Sequence, residues 1–188
     1  MISEVRRKFI HIGIGSVFVL MVFFLGTINS LMILFPIYII GLISSFLILK
    51  GVRIPFAHAL LDDVQRTDEK HLPGKGALYF FLGANLVLAL FWWNQLFVLA
   101  ALCTVVFGDG FATMVGIKFG KHTLISGKSV EGTLACIIAC VIFLHVLFPF
   151  SIYRIGFTAF VATAVELLPL NDNLGMPLAT AATLLLLI

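Results

Sequence analysis

The stretch Val105-Val106-Phe107-Gly108-Asp109-Gly110-Phe111-Ala112-Thr113-Met114-Val115-Gly116 decides the fold. It lies in an apolar run over 96–117 in which Asp109 is the one charged residue. A helix needs about 20 such residues to cross a bilayer. A carboxylate inside that run has no bulk water, so its neighbours must supply a cation, a proton or hydrogen bonds. The glycines beside it permit a broken or closely packed helix and the close approach of a ligand. Thr113 and Gly116 follow at i+4 and i+7, on the same helical face.

Outward from this run lie six more, over 9–27, 30–49, 76–93, 131–149, 152–169 and 174–188. They are continuous rather than alternating, which argues against a β-barrel. The last run has 15 residues, about 22 Å of helix against a hydrocarbon core of about 30 Å. Composition agrees. The chain is 61% hydrophobic and 11% charged, where a soluble domain has about 45–50% and about 25%. Disorder, a fibrous repeat and an ordinary soluble domain are excluded. The expected fold class is all-α, a polytopic transmembrane helical bundle of about seven spans. Residues 1–188 are expected to form a single integral-membrane catalytic domain. Arg6-Arg7-Lys8 before an apolar stretch has the look of a signal peptide, but the stretch is too long and no small-residue cleavage site follows. Cys103, Cys136 and Cys140 sit in apolar runs without metal-ligand spacing and read as packing residues.

The charges sort by position. Threading seven spans puts the amino end and the 50–75, 117–130 and 169–175 connections on one side. That side holds 11 of the 12 Lys and Arg residues, all but Arg154. The positive-inside rule makes it cytoplasmic, with the N-terminus there. Trp92 and Trp93 fall at the far interface, where aromatic belts occur. The net charge of +3 is small, and no patch suits nucleic acid. Polar groups gathered at one face suit chemistry between a water-soluble substrate and a membrane-embedded one.

Four constellations carry the chemistry. Glu4, Arg7, Lys8, His11 and Gly15, at i, i+3, i+4, i+7 and i+11, form one helical stripe. They read as a basic groove for phosphate or a lipid headgroup. Asp109, between Gly108 and Gly110, reads as a Mg²⁺ ligand or as the group that orients a reacting hydroxyl. The connection from Gly116 through Gly120-Lys121 to Gly127-Lys128-Ser129 opens a helix, with Ser129 as N-cap. Its N–H groups, Lys121 and Lys128 suit polyphosphate, and Glu131 suits a metal. Last, Glu166 ends a run, Pro169 stops it, and Asn171-Asp172-Asn173 follows. Oxygen ligands there, near Asp109 and Glu131, suit a hard cation such as Mg²⁺. The 50–75 connection, with Arg53, His58, Asp62, Asp63, Arg66, Asp68, Glu69, Lys70, His71 and Lys75, has the mixed charge of a solvated face. Arg66 and Lys75 are its candidates for the site.

The order of these pieces resembles the membrane family of CTP-dependent lipid kinases: dolichol kinase, phytol/farnesol kinase and CTP-dependent diacylglycerol kinase. Glu4-x-x-Arg7-Lys8-x-x-x-His11 resembles that family's opening. Gly108-Asp109 through Ala112, Gly116 and Gly120-Lys121 resembles its G-D-x-x-A-x-x-x-G-x-x-x-G-K element. Lys128-Ser129-x-Glu131-Gly132-Thr133 resembles its K-[ST]-x-E-G-[ST] element. Val165-Glu166 with Asp172-Asn173 and Pro177 resembles its C-terminal element. The middle two also resemble phosphatidate cytidylyltransferases, whose late H-G-G-x-x-D-R-x-D element has no counterpart here.

The resemblance implies transfer of the γ-phosphate of CTP to a membrane lipid alcohol, giving lipid phosphate and CDP. It implies Asp109, Glu131 and Lys128 as catalytic residues. Asp109, Glu131, Glu166 and Asp172 would be metal ligands for Mg²⁺. CTP would lie against Arg7, Lys8, His11, Lys121, Lys128 and Ser129, with Gly108, Gly110, Gly116, Gly120 and Gly127. A cytidylyltransferase that releases pyrophosphate and an ion-coupled transporter are the alternatives.

Overall fold

The computed structural model of the chain describes residues 2–55, 72–124 and 127–187. The described residues are helical, with no strand beyond one isolated bridge between Thr123 and Ser129. In order they form α1 (Ile2–Leu49), α2 (Lys75–Leu90), α3 (Gln95–Cys103), a π-helical segment (Thr104–Asp109), α4 (Gly110–Phe119), α5 (Val130–Leu147), α6 (Ile152–Glu166) and α7 (Asp172–Leu186).

Helix α1 is two rods in one. Gly26, with φ 79° and ψ 173°, breaks it, a conformation for which glycine carries no Cβ penalty. The Phe18 ring packs on Phe80, with centroids 5.2 Å apart. Leu34 offers its carbonyl to Asn85 Nδ2 at 3.5 Å. A straight helix would separate residues 18 and 34 by about 24 Å, whereas five residues along α2 span about 7.5 Å. The chain therefore folds back at Gly26, and both halves lie against α2. This reversal falls close to the connection expected around Thr27.

The reversal is pinned where it meets its neighbours. Gln95 Nε2 donates to the Val22 carbonyl at 2.8 Å, and Thr27 Oγ1 donates to the Trp92 carbonyl at 2.6 Å. Asn94 caps α3 by accepting from the Phe97 N–H at 3.3 Å. Trp92 and Trp93 are exposed at this end.

Helix α3, the π-helical segment and α4 run on as one rod, Gln95–Phe119. Every residue from Phe97 to Cys103 is buried. A helix apolar on all sides belongs at the centre of a bundle, and α1, α5 and α7 pack around this one. Val22, Val87, Val98, Leu102, Val106, Leu144, Ile155 and Met176 fill the interior. Among the described residues, three helical stretches are long and apolar enough to cross a membrane: Glu4–Leu49, which holds the reversal at Gly26, Gln95–Phe119 and Val130–Leu147. The apolar surface of α1, including Phe24, Met32 and Ile40, is exposed, as suits a membrane-facing helix.

Glycines set the closest contacts. A Cβ on Gly132 of α5 would stand 2.7 Å from the Ala112 carbonyl oxygen of α4. That oxygen is backbone and cannot swing aside. Small residues are what allow helices in a membrane to approach this closely. Gly132→Ala is expected to part α4 from α5 and lower stability by about 1–3 kcal/mol, read as a lower thermal midpoint in detergent. Gly13→Ala, which meets nothing within 4 Å, is the control and should leave the midpoint unchanged.

Candidate active site

The first turns of α1 present Glu4, Arg7, Lys8 and His11 as one stripe. Arg7 pairs with Glu4, and Lys8 pairs with Asp109 across 101 positions of sequence. His11 Nε2 lies 3.9 Å from Asp109 Oδ2. Thr113 Oγ1, one turn beyond Asp109, faces the other carboxylate oxygen at 3.4 Å. The i+4 relation expected from sequence is therefore used.

Asp109 closes the π-helical segment. A π turn widens the helix and occurs often at functional sites. The flanking glycines serve packing here. A Cβ on Gly108 would meet Cys140 Sγ at 2.7 Å, and one on Gly110 would meet Ile12 at 2.7 Å. Helices α5 and α1 thus close on either side of a carboxylate that is 3% exposed.

The loop after α4 places Lys128. Its two arms are joined by the Thr123–Ser129 bridge, with Leu124 N–H donating to the Lys128 carbonyl at 2.6 Å and Val130 N–H to that of His122 at 2.9 Å. Ser129 caps α5, accepting from the Gly132 N–H at 3.1 Å, as expected. Lys128 Nζ then donates to Glu166 Oε1 at 2.9 Å and Asp172 Oδ2 at 2.8 Å. Burial works against this ammonium, but the Glu166 and Asp172 carboxylates more than reverse that and raise its pKa above the ordinary lysine value.

Asp109, Glu166 and Asp172 each offer one oxygen, and these oxygens all lie within 4.8 Å of one another. Glu166 is 3% exposed, and its Oε2 has no hydrogen-bond partner among the described residues. An acceptor left bare in a buried site is costly unless a cation or a ligand proton meets it.

Beside the cluster is a cavity of about 290 Å³, bounded by Arg7, Lys8, His11, Ile14, Gly74, Lys75, Gly76, Ala77, Phe80, Phe81, Asp109 and the Leu170–Asn173 turn. Helix α2 starts here, after Gly74 in a left-handed conformation (φ 72°) and with no side-chain cap. Asn173 Nδ2 donates to the Gly76 carbonyl at 3.2 Å and ties α7 to that start. Pro177 removes the N–H that would have bonded the Asn173 carbonyl. That carbonyl instead abuts Gly83, where any Cβ would collide with it.

Of the residues singled out from sequence, Arg7, Lys8, His11, Lys75, Asp109 and Asp172 line the cavity. Glu166 and Lys128 reach the cluster beside it. Glu131 does not join them. Its carboxylate accepts from His122 Nδ1 at 2.8 Å and from the Lys121 N–H at 3.1 Å, so it ties the exposed loop to α5. Lys121 is exposed and does not line the cavity. Gly116 and Gly120 pack against Ser129, while Gly127 takes a left-handed turn with φ 74°. Arg53 and Lys75 are described; His58, Asp62, Asp63, Arg66, Asp68, Glu69, Lys70 and His71 lie outside the described residues. Asn171 and Asn173, also singled out, line the cavity too; the reading missed Gly74 and Gly76 around Lys75 at the start of α2 and the Phe80–Phe81 wall. A glycine–lysine–glycine sequence opening an apolar run was the one available signal.

No protein-family profile matches the chain, and no solved structure matches it. Relatives do. An uncharacterized protein of Methanocaldococcus jannaschii is 30% identical over 179 residues, 95% of this chain and 91% of its own length. Phytol kinase 1 of Arabidopsis thaliana is 30% identical over 95% of this chain and 64% of its own length. The farnesol kinase of the same plant is 27% identical over the same shares. The chain is thus similar, over nearly all its length, to a phytol kinase and a farnesol kinase. It spans about half the length of other curated relatives it matches, such as 49% of a probable phytol kinase 1 of Oryza sativa.

Lys128 is what neutralises Glu166. Lys128→Met is expected to leave a buried carboxylate without its cation and to cost about 3 kcal/mol of stability. The thermal midpoint in detergent should drop, and a second change, Glu166→Gln, should restore most of it.

Proposed function

We propose that the chain is a membrane-embedded kinase that transfers the γ-phosphate of CTP to a lipid alcohol. The observation that carries this reading is one cavity where basic side chains, a buried acid cluster and an apolar wall meet. The names of its relatives, phytol kinase and farnesol kinase, favour isoprenoid alcohols as acceptors. CTP as donor rests on the resemblance in motif order. In this reading all seven apolar runs cross the bilayer, with the N-terminus and the cavity at the cytoplasmic face.

Phosphoryl transfer asks for positioning and charge neutralisation more than for covalent help from the protein. Arg7 and Lys75 take the donor's phosphate oxygens, aided by the uncapped start of α2. Lys8 and Lys128 hold the carboxylates in place. Asp109, Glu166 and Asp172 are the residues that would hold Mg²⁺: their oxygens are hard ligands, close enough to share one ion, and Glu166 Oε2 is without a partner among the described residues. That ion, when bound, neutralises charge on the donor's phosphates. In the reaction the alcohol oxygen bonds the γ-phosphorus, and the bond from that phosphorus to the β,γ-bridging oxygen breaks. CDP leaves, and the hydroxyl proton is released. Glu131 serves the loop in this account rather than the ion.

The test uses purified protein in detergent with Mg²⁺, CTP labelled at the α or γ phosphate, and a panel of phytol, farnesol, a polyprenol, diacylglycerol and phosphatidate. Label from the γ position should reach an isoprenoid alcohol, with CDP released. Label from the α position in lipid, with pyrophosphate released, would replace the kinase with a cytidylyltransferase. Neither label in lipid would overturn both enzyme readings and favour a carrier.

A further inference from the structure

We infer that His11 Nε2, with Ile14, Phe80 and Phe81, forms the subsite that receives the hydroxyl end of the lipid alcohol. The inference rests on the kinase reading and places the second substrate within it.

The cavity is graded along two helices. Down α1 its lining passes from Arg7 and Lys8 to His11 and then Ile14; down α2 it passes from Lys75 to Phe80 and Phe81. Both helices enter from the charged end, so the polar lining gives way to apolar lining with depth. His11 stands at the change. Its ring packs on Phe80 with centroids 4.4 Å apart, and its side chain is 12% exposed.

The imidazole carries an unmet polar atom: Nε2 is buried and has no hydrogen-bond partner among the described residues. Asp109 does not supply one: Oδ2 pairs with Lys8 and stands 3.9 Å from Nε2, and Oδ1 faces Thr113. A ring nitrogen so placed needs a partner that can donate to it or accept from it, and a hydroxyl can do both. The matching ligand group is a hydroxyl on an apolar body. An alcohol fits that description; a hydrocarbon does not.

The tail has an exit. Ile14 is 44% exposed, and Val17, three residues deeper on α1, is 59% exposed. A chain leaving the cavity past Ile14 therefore meets the apolar outer face of α1. The hydroxyl would sit beside Asp109, where the donor's phosphates end.

The test is protection from alkylation in the full chain, without nucleotide. In Ile14→Cys the new thiol is accessible, whereas Cys103, Cys136 and Cys140 are buried. A long-chain alkanol in detergent should slow N-ethylmaleimide reaction at position 14 about fivefold more than the alkane of equal length, the discrimination one hydrogen bond supplies. Adding His11→Ala should erase that difference. Equal protection by alkanol and alkane, no protection by either, or discrimination that survives His11→Ala would overturn the assignment. A second arm uses the unaltered protein and an alkanol with a diazirine next to the hydroxyl-bearing carbon. Photolabel should fall on peptides containing His11–Ile14 or Phe80–Phe81; label confined elsewhere would overturn it. Neither arm needs phosphoryl transfer, so a failed kinase assay and a failed subsite give different results.

Discussion

The ion pair between Lys8 and Asp109 is the constraint on which the site depends. Both side chains are withdrawn from water, Asp109 almost wholly. A charge in that setting is tolerated only beside its opposite. The first half of α1 must therefore lie against the π-helical segment, and small residues permit it. A Cβ on Gly15 would collide with Val106, and one on Gly110 would meet Ile12. Once α1 is so placed, Arg7 and His11 have no choice of surroundings: both face the cavity beside α2.

A second balance is laid over the first. Asp109, Glu166 and Asp172 come from the central rod, the end of α6 and the start of α7, and Lys128 arrives on a loop to join two of them. Four separate pieces of chain thus meet through charge at one end of an otherwise apolar bundle. Such pairs cost desolvation and stabilise little in net terms. In the proposed reading their value lies in holding ligand groups where a substrate can use them.

Much of this was legible in the sequence because the bilayer leaves few options. Apolar runs had to be helices, and Asp109 inside one of them had to be partnered. The stripe from Glu4 to His11 followed from helical period alone. The reversal at Gly26 was foreseen to within a few residues, since two runs were too long for one crossing. What stayed hidden depends on packing between distant segments. Gly108, Gly110, Gly116 and Gly120 suggested a phosphate cradle, yet neighbouring side chains and backbone fill the space a Cβ would need. Glu131 looked like a metal ligand until the loop's return brought His122 to it. Lys128 looked like a phosphate contact, and only the arrival of α6 and α7 shows it bonded to acids. The π turn has no residue pattern of its own, because it is a response to how the rod is packed.

The most direct test of the account is turnover by Asp109→Asn, which keeps the volume of the side chain and removes its charge. The account predicts a protein that still folds, with transfer of γ-label from CTP to lipid alcohol reduced at least a hundredfold, the scale on which electrostatic groups at a reacting centre act. Transfer near the unaltered rate by a folded Asp109→Asn protein would contradict it, because the carboxylate at the centre of the site would then have no part in the chemistry.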